Sequence, residues 1–379
     1  MSIEIEDNNT YMKYLVSKHT SIPVDEIFIV TRHLNNSINN STHLFVDFLL
    51  EKFAKNNRTK VFFNHQSEGL QHAFLENINI IFNELIKKRK IDIEQFNVVS
   101  GAVSCPRLVD VYKNVCSDNN WQLFPLWTDN YWESYNAPEL KPFEIDFNPK
   151  SKRILCFNGV ARIHRMAAVL EMFKRNIFDK AYVSIKTYQS DLLNSNFIEM
   201  RNMLGNTVLG YPEILEKIKH LFPMKLTLAD DIKNAYHIND EDRKLYKDTV
   251  VSLVNETMFT SRDPIKFNFR DRLTQPCTFA TEKTWKTFQG FHPFIIMSTP
   301  HFLKDLRHLG YRTFAPYIDE SYDDTENDEL RFKKVMDEVE RIANMSDNQV
   351  YDFQQNVKKI LEFNSKMLRT KKPAFVRVL

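Results

Sequence analysis

The residues of this chain best suited to chemistry stand in two short runs. Asn255-Glu256-Thr257 ends the strand-like TVVSLV, and Thr281-Glu282-Lys283 opens the helix-like TEKTWKTF. A carboxylate accepts hydrogen bonds from vicinal hydroxyls, whereas a lysine and the first N–H groups of a helix hold phosphate. A ligand that carries sugar hydroxyls and a diphosphate together is a sugar nucleotide. Thr281 also has a plainer use, as the cap of a helix whose first turn is acidic. An acidic cluster (Asp319, Glu320, Asp323, Asp324) closes this stretch and reads as a solvated turn.

A second constellation lies upstream, in FNGVARIHR from Phe157 to Arg165. It follows a strand-like run and opens a helix, with Asn158 and Gly159 forming the turn. Arg162, His164 and Arg165 then crowd the helix N-terminus, where the helix dipole opposes positive charge and favours anions. That placement is unfavourable unless an anion is bound, so Arg162 and Arg165 are expected to hold a diphosphate. The plainer alternative is a solvated basic face. In the first half, FFNHQSEG places His65 and Glu68 just past a strand, where either suits a general base. Both are equally compatible with a polar surface loop. Ser100 to Pro106 and the aromatic run Trp127 to Tyr135 would line an acceptor groove, or else form interdomain core.

The elements that must position these residues alternate between strand and helix patterns, which argues an α/β class. EIFIV, VFFN, FNVVSG and WQLFPLW read as strands in the first half. HLFVDFLLEKFAK, Leu70 to Lys88 and Pro106 to Cys116 read as helices there. The proline-bearing stretch Tyr135 to Arg153 lacks a steady period and reads as a linker. Beyond it come RILCFNG, AYVSI, TVVSLVNE and PFIIM as strands. RMAAVLEMFKRN, the start at Glu282, and TPHFLKDLRHLG closed by Gly310 read as helices. Asp328 to Leu368 is one long amphipathic helix or a pair. Domains are therefore expected at 1–150 and 151–379, each with its own core.

Composition narrows the setting. A formal charge of +2 gives no global field for nucleic acid or membrane. Local basic runs remain at Lys87 to Lys90, Lys150 to Arg153 and Arg369 to Lys372. Cys105, Cys116, Cys156 and Cys277 show no paired spacing, so a reducing compartment is expected. The polar start MSIEIEDNN is no signal peptide, and no apolar run approaches the roughly 18 residues that span a bilayer. A cytoplasmic protein is expected. Few glycines beside abundant Phe, Asn, Lys and Ile fit an AT-rich genome, such as that of a phage or large virus.

The order FNG…R..R, Glu-Thr, Thr-Glu-Lys, PFI and LGYRTF…DESYD resembles the donor-binding half of GT-B glycosyltransferases, particularly the fucosyltransferase-like group. It is also similar to phage and giant-virus glycosyltransferases. The resemblance covers about residues 153 to 335. It implies two Rossmann-like domains facing a cleft: an N-terminal acceptor-binding domain and a C-terminal nucleotide-sugar domain, with the last helix returning to the first. It implies Glu282 on the ribose hydroxyls, Lys283 and Arg162 on the diphosphate, and Glu256 with Thr257 near the donor sugar or base. Asn158, Arg165 and Thr281 complete the donor set. After Thr-Glu-Lys the chain has PFIIMSTP where the family has a glycine-containing ending, which leaves the sugar open. Asp319-Glu320-Ser321-Tyr322-Asp323 is not the Asp-x-Asp of metal-dependent transferases, so no metal and no cofactor are expected beyond a UDP- or GDP-sugar substrate. An inverting transfer is expected, to a hydroxyl on a glycan, a protein or hydroxymethylated DNA. The alternative is a nucleotide-sugar-binding module without catalysis.

Overall fold

The computed structural model describes residues 13, 17, 23–30, 46–65, 80–88, 92, 95–100, 122–125, 146–187, 193–224, 226, 238, 240–260 and 278–370, a few of them, His65 included, as backbone only. The chain divides into two compact units. The first takes Met1–Asp129, Asp271–Phe279 and Pro373–Leu379, and the second takes Asn130–Arg270 and Ala280–Lys372.

The first unit holds a parallel four-stranded sheet: β1 (Ile27–Val30), β2 (Lys60–His65), β3 (Phe96–Ser100) and β4 (Gln122–Pro125), in that order. Parallel sheets are covered on both faces, which is why VFF can run apolar without alternation. Phe62 and Phe63 are both fully buried. Residues 46–55 form α1, and its Val46, Leu49 and Phe53 are buried at helical spacing. Phe28 and Phe48 join α1 to the sheet with ring centroids 5.9 Å apart. The expected helix at Pro106 to Cys116 lies outside the described residues.

The second unit repeats the scheme with a change of direction. Its strands are β5 (Ile154–Val160), β6 (Ala181–Thr187), β7 (Val251–Asn255) and β8 (Phe294–Met297), all parallel, in the order β6-β5-β7-β8. The chain builds β6 on one side of β5 and then crosses to the other side for β7 and β8. In open α/β sheets the crevice at such a switch point, at the carboxyl ends of the strands, is where ligands bind. Here the pairing of β5 with β7 covers Ile154–Val251 and Leu155–Ser252.

Helices cover both faces. α2 (Ile163–Lys174) follows β5 and is buried without a break from His164 to Met172. It packs on α3 (Leu193–Leu204) and α4 (Tyr211–Ile218). Its one buried acid, Glu171, is held by Arg175 Nε at 2.7 Å and by the Tyr211 hydroxyl at 2.8 Å. α5 (Asp240–Lys247) leads into β7, α6 (Glu282–Gln289) into β8, and α7 (Phe302–His308) follows β8. Gly310 closes α7 at φ 92°, a left-handed conformation that favours glycine. The tail is a pair, α8 (Asp328–Ala343) and α9 (Asp347–Thr370). α9 packs on α6, and Asn364 exchanges two hydrogen bonds with the Arg312 backbone, at 2.7 and 2.8 Å. Among the described residues no helix is long and apolar enough to cross a membrane.

The amino ends of β7 and β8 are tied by His292. Its Nδ1 lies 2.8 Å from Ser252 Oγ and its Nε2 lies 3.2 Å from Thr249 Oγ1. Burial holds this imidazole at about 3, against its ordinary 6.5. Between those values the folded protein binds fewer protons than the unfolded chain, so stability is complete above pH 6.5 and falls as pH drops. By pH 5 the loss from this group is about 2 kcal/mol. Urea midpoints measured from pH 7.5 to 5 should therefore fall less steeply for His292→Gln than for the natural chain. Parallel curves would show that His292 does not titrate on unfolding.

Candidate functional site

At the carboxyl edge of the second sheet, three short segments converge: the β5–α2 turn, the end of β7, and the start of α6. The residue that joins them is Glu256, whose side chain is fully buried. One carboxylate oxygen accepts from Thr281 N at 3.1 Å and from Thr284 Oγ1 at 2.6 Å. The other accepts from Thr281 Oγ1 at 2.6 Å and from Thr257 N at 3.1 Å. A carboxylate offers about four lone-pair positions, so this one is fully used by the protein. The Glu256 main-chain carbonyl is held as well, by His164 Nε2 at 2.8 Å and Arg165 at 3.2 Å. One residue thus fastens the start of α6 through its side chain and the start of α2 through its backbone.

Lys283 rests against this assembly with its side chain 17% exposed. Its ammonium donates to Thr281 Oγ1 at 2.6 Å and to Glu282 at 3.3 Å, and it stands 3.6 Å from Glu256. Thr281 is the N-cap of α6, and its hydroxyl accepts from Lys283 N. Glu282, in the first turn, has a side chain 30% exposed. Burial pushes its carboxyl up, but the Lys283 charge and hydrogen bonding outweigh this and leave it below its usual 4.5. The two glutamates therefore differ in degree: the Glu256 side chain is wholly enclosed, whereas that of Glu282 is partly exposed.

The α2 side supplies positive charge. Arg162 is the N-cap of α2 and is partly exposed. Arg165 is 4% exposed, and burial together with the adjacent Arg162 charge brings its guanidinium down to about 10. It remains a cation at neutral pH, in a position an anion would stabilise. Burial and then the Arg165 charge hold His164 well below 6.5, so it is neutral. A carbonyl oxygen can only accept, so Nε2 carries the proton of that neutral ring. The His164 ring stacks on Phe259 at 5.7 Å. Arg162, Arg165 and Lys283 against Glu256 and Glu282 leave a net single positive charge here.

Beneath these groups lies a buried polar floor. Asn255 Nδ2 donates to Asn158 Oδ1 at 2.9 Å, bridging β5 and β7 beyond their last backbone pair. Both asparagines also point an amide at the Cys156 sulfur, 3.3 Å away in each case. Asn158 is 1% exposed, so it stabilises the floor from inside. One wall is fixed by Arg331, 1% exposed, which donates to the carbonyls of Phe259, Ser298, Thr325 and Glu326 and to Asp328.

The expected donor residues Arg162, Arg165, Glu256, Thr257, Thr281, Glu282 and Lys283 are thus gathered on one sheet edge, with Asn158 beneath. His65 is the last residue of β2 in the first unit, and only its backbone is described. Glu68, Gly101 to Pro106 and Trp127 to Tyr135 lie outside the described residues. The acidic cluster is only in part the solvated turn expected of it: Asp319 and Asp324 are exposed, whereas Asp323 and Glu320 are not. Asp323 is 3% exposed and accepts from Leu303 N and Lys304 N at 2.8 and 2.9 Å. Glu320 accepts from Arg307, Thr313 and Phe314 N. These carboxylates hold the start of α7 and the loop after it. The sequence reading missed Thr284, although its place three residues after Thr281 puts it on the same helix face. A separate small cavity, lined by Lys150, Tyr246, His292 and Leu361, sits at the opposite, amino edge of the sheet.

Compared with known protein families and with curated proteins, the chain matches none. The class that fold and site define is an α/β protein with parallel, Rossmann-like sheets and a cluster of charged side chains at the switch point of the second.

Proposed function

We propose that the chain is a two-domain glycosyltransferase of the GT-B type, which moves a sugar from a UDP- or GDP-sugar to a hydroxyl acceptor. The observation that carries this reading is the convergence of Arg162, Arg165, Lys283 and Glu282 at the carboxyl-edge switch point of a parallel sheet. Cations at two helix starts suit a diphosphate, and the partly exposed carboxylate of Glu282 suits a ribose diol. In the reaction the acceptor oxygen bonds to the anomeric carbon as its proton passes to a general base. The bond from that carbon to the diphosphate breaks, and the diphosphate leaves with the electron pair. Arg162, Arg165 and Lys283 take up the developing charge, the role a metal has in other transferases. His65 or Glu68, from the acceptor-binding first unit, is the base, and the outcome is inversion.

The test is a binding screen of UDP, GDP and ADP and their common sugars by thermal shift, followed by transfer assays on glycans and on hydroxymethylcytosine DNA. A UDP- or GDP-sugar should bind and turn over in EDTA. Activity abolished by EDTA and restored by manganese would overturn the metal-free reading. Donor binding with no turnover on any acceptor, unaffected by replacing His65 and Glu68, would identify a binding module instead.

A further inference from the structure

We propose that the exposed face of α9 from Lys359 to Arg369, together with Arg312, is a docking surface for the phosphate backbone of duplex DNA. It uses none of the residues assigned to sugar transfer and does not depend on that reading. Lys359, Lys366, Arg369 and Arg312 are all exposed. The Arg312 backbone is held by the Asn364 side chain at 2.7 and 2.8 Å, and its guanidinium lies over the Phe363 ring at 4.0 Å. Stacking steadies the guanidinium and leaves its edge N–H groups for an oxyanion. Positions 359, 363, 366 and 369 recur at intervals of three and four, so the four cations share one side of α9. Lys359 and Lys366 stand about 10 Å apart along its axis.

These cations have no acids of their own. The neighbouring carboxylate, Glu362, belongs to Lys358, 4.0 Å away. Among the described residues no ion pair involves Arg312, Lys359, Lys366 or Arg369, and Arg369 donates only to the Ser365 carbonyl one turn back. The basic run at Lys150 to Arg153 is different. The Lys150 side chain is 2% exposed, Lys152 donates to the Asp179 carbonyl, and Arg153 pairs with Asp347 at 2.6 Å. The dipole of α9 favours a cation in its last turn, which accounts for Arg369 alone.

The chemistry of the face selects its partner. None of the exposed side chains between residues 355 and 370 is apolar. Protein interfaces centre on aromatic and other packed anchors, and helices that lie on membranes insert an apolar side. A phosphodiester backbone needs neither, because it is bound through charge and counterion release. A helix face also fits the wide major groove of a B-form duplex, whereas that of double-stranded RNA is deep and narrow.

The test is fluorescence anisotropy of a short, mixed-sequence DNA duplex titrated with the full chain over a series of salt concentrations. Four phosphate contacts give a slope of about −3.6 for log K against log salt. The variant Lys359→Gln, Lys366→Gln, Arg369→Gln should bind about tenfold more weakly or worse at low salt, with the slope flattened by about 3. The control removes the same charge from exposed positions on α3, α4 and α8, as Arg201→Gln, Lys217→Gln, Lys333→Gln. It should leave the affinity within about twofold and the slope unchanged. Urea midpoints of both variants should match the natural chain, since all six positions are exposed. If the natural chain shows no salt-sensitive duplex binding, or both variants lose affinity equally, the surface does not exist. If phosphatidylserine vesicles or heparin bind through α9 and the duplex does not, the DNA assignment is wrong. Duplex binding that needs α9 supports the proposal even where no sugar is transferred, and that result counts only against the transferase.

Discussion

Glu256→Ala should lose about 3 kcal/mol of folding stability, because it strips two backbone N–H groups and two buried hydroxyls of their acceptor at once. The orphaned groups would be Thr257 N, Thr281 N, Thr281 Oγ1 and Thr284 Oγ1, the last two at the N-cap and in the first turn of α6. The start of that helix would lose its hold on β7, and Lys283 would lose the 3.6 Å neighbour that helps to keep it folded inward. Glu282→Ala is the control. It removes the same kind of group from the first turn of α6, yet its side chain is partly exposed, and the change should cost less than about 1 kcal/mol. Urea denaturation of the two variants at pH 7.5 measures both. If Glu282→Ala proved the more damaging, the assignment of Glu256 to structure and Glu282 to ligand would have to be reversed.

Lys283→Ala should leave the fold intact and reduce turnover on the order of a hundredfold at saturating donor, the usual cost of losing one well-placed charge donor. The side chain is at the surface of the site, and the cap hydrogen bond of α6 comes from its backbone N–H, which alanine retains. The division between kcat and KM matters. Charge that develops on a departing diphosphate is stabilised in the transition state, so the loss should fall on kcat. A change confined to KM would mean that Lys283 holds the diphosphate equally before and during transfer, and its role as leaving-group stabiliser would be lost.

How far the sequence was legible depended on whether a signal was local. Apolar runs such as VSLV and FIIM marked buried strands because parallel sheets are covered on both faces, so no alternation is needed. Thr281-Glu282-Lys283 showed its helix start because capping acts over three residues, and Thr281 does cap α6 while also holding Glu256. The inward turn of Glu256 was not legible, since its partners Thr281 and Thr284 lie 25 and 28 residues away. The burial of Asp323 and Glu320 was missed for the same reason. Their donors come from α7 and from Thr313 and Phe314, and a run of acids looks solvated until those donors are placed around it. In the first unit the strands were legible, and His65 closes one of them as the last residue of β2.

Arg331 has an implication for how such a protein can change over generations. Four of its contacts are to main-chain oxygens, those of Phe259, Ser298, Thr325 and Glu326, and every residue type offers the same oxygen. The segments after β7 and β8 are therefore pinned by groups that substitution does not remove. A side-chain change at position 298, 325 or 326 therefore leaves the contact with Arg331 in place, whatever it does to the other bonds those side chains make. Arg331 itself has no such freedom, because lysine lacks the fork that reaches several carbonyls together.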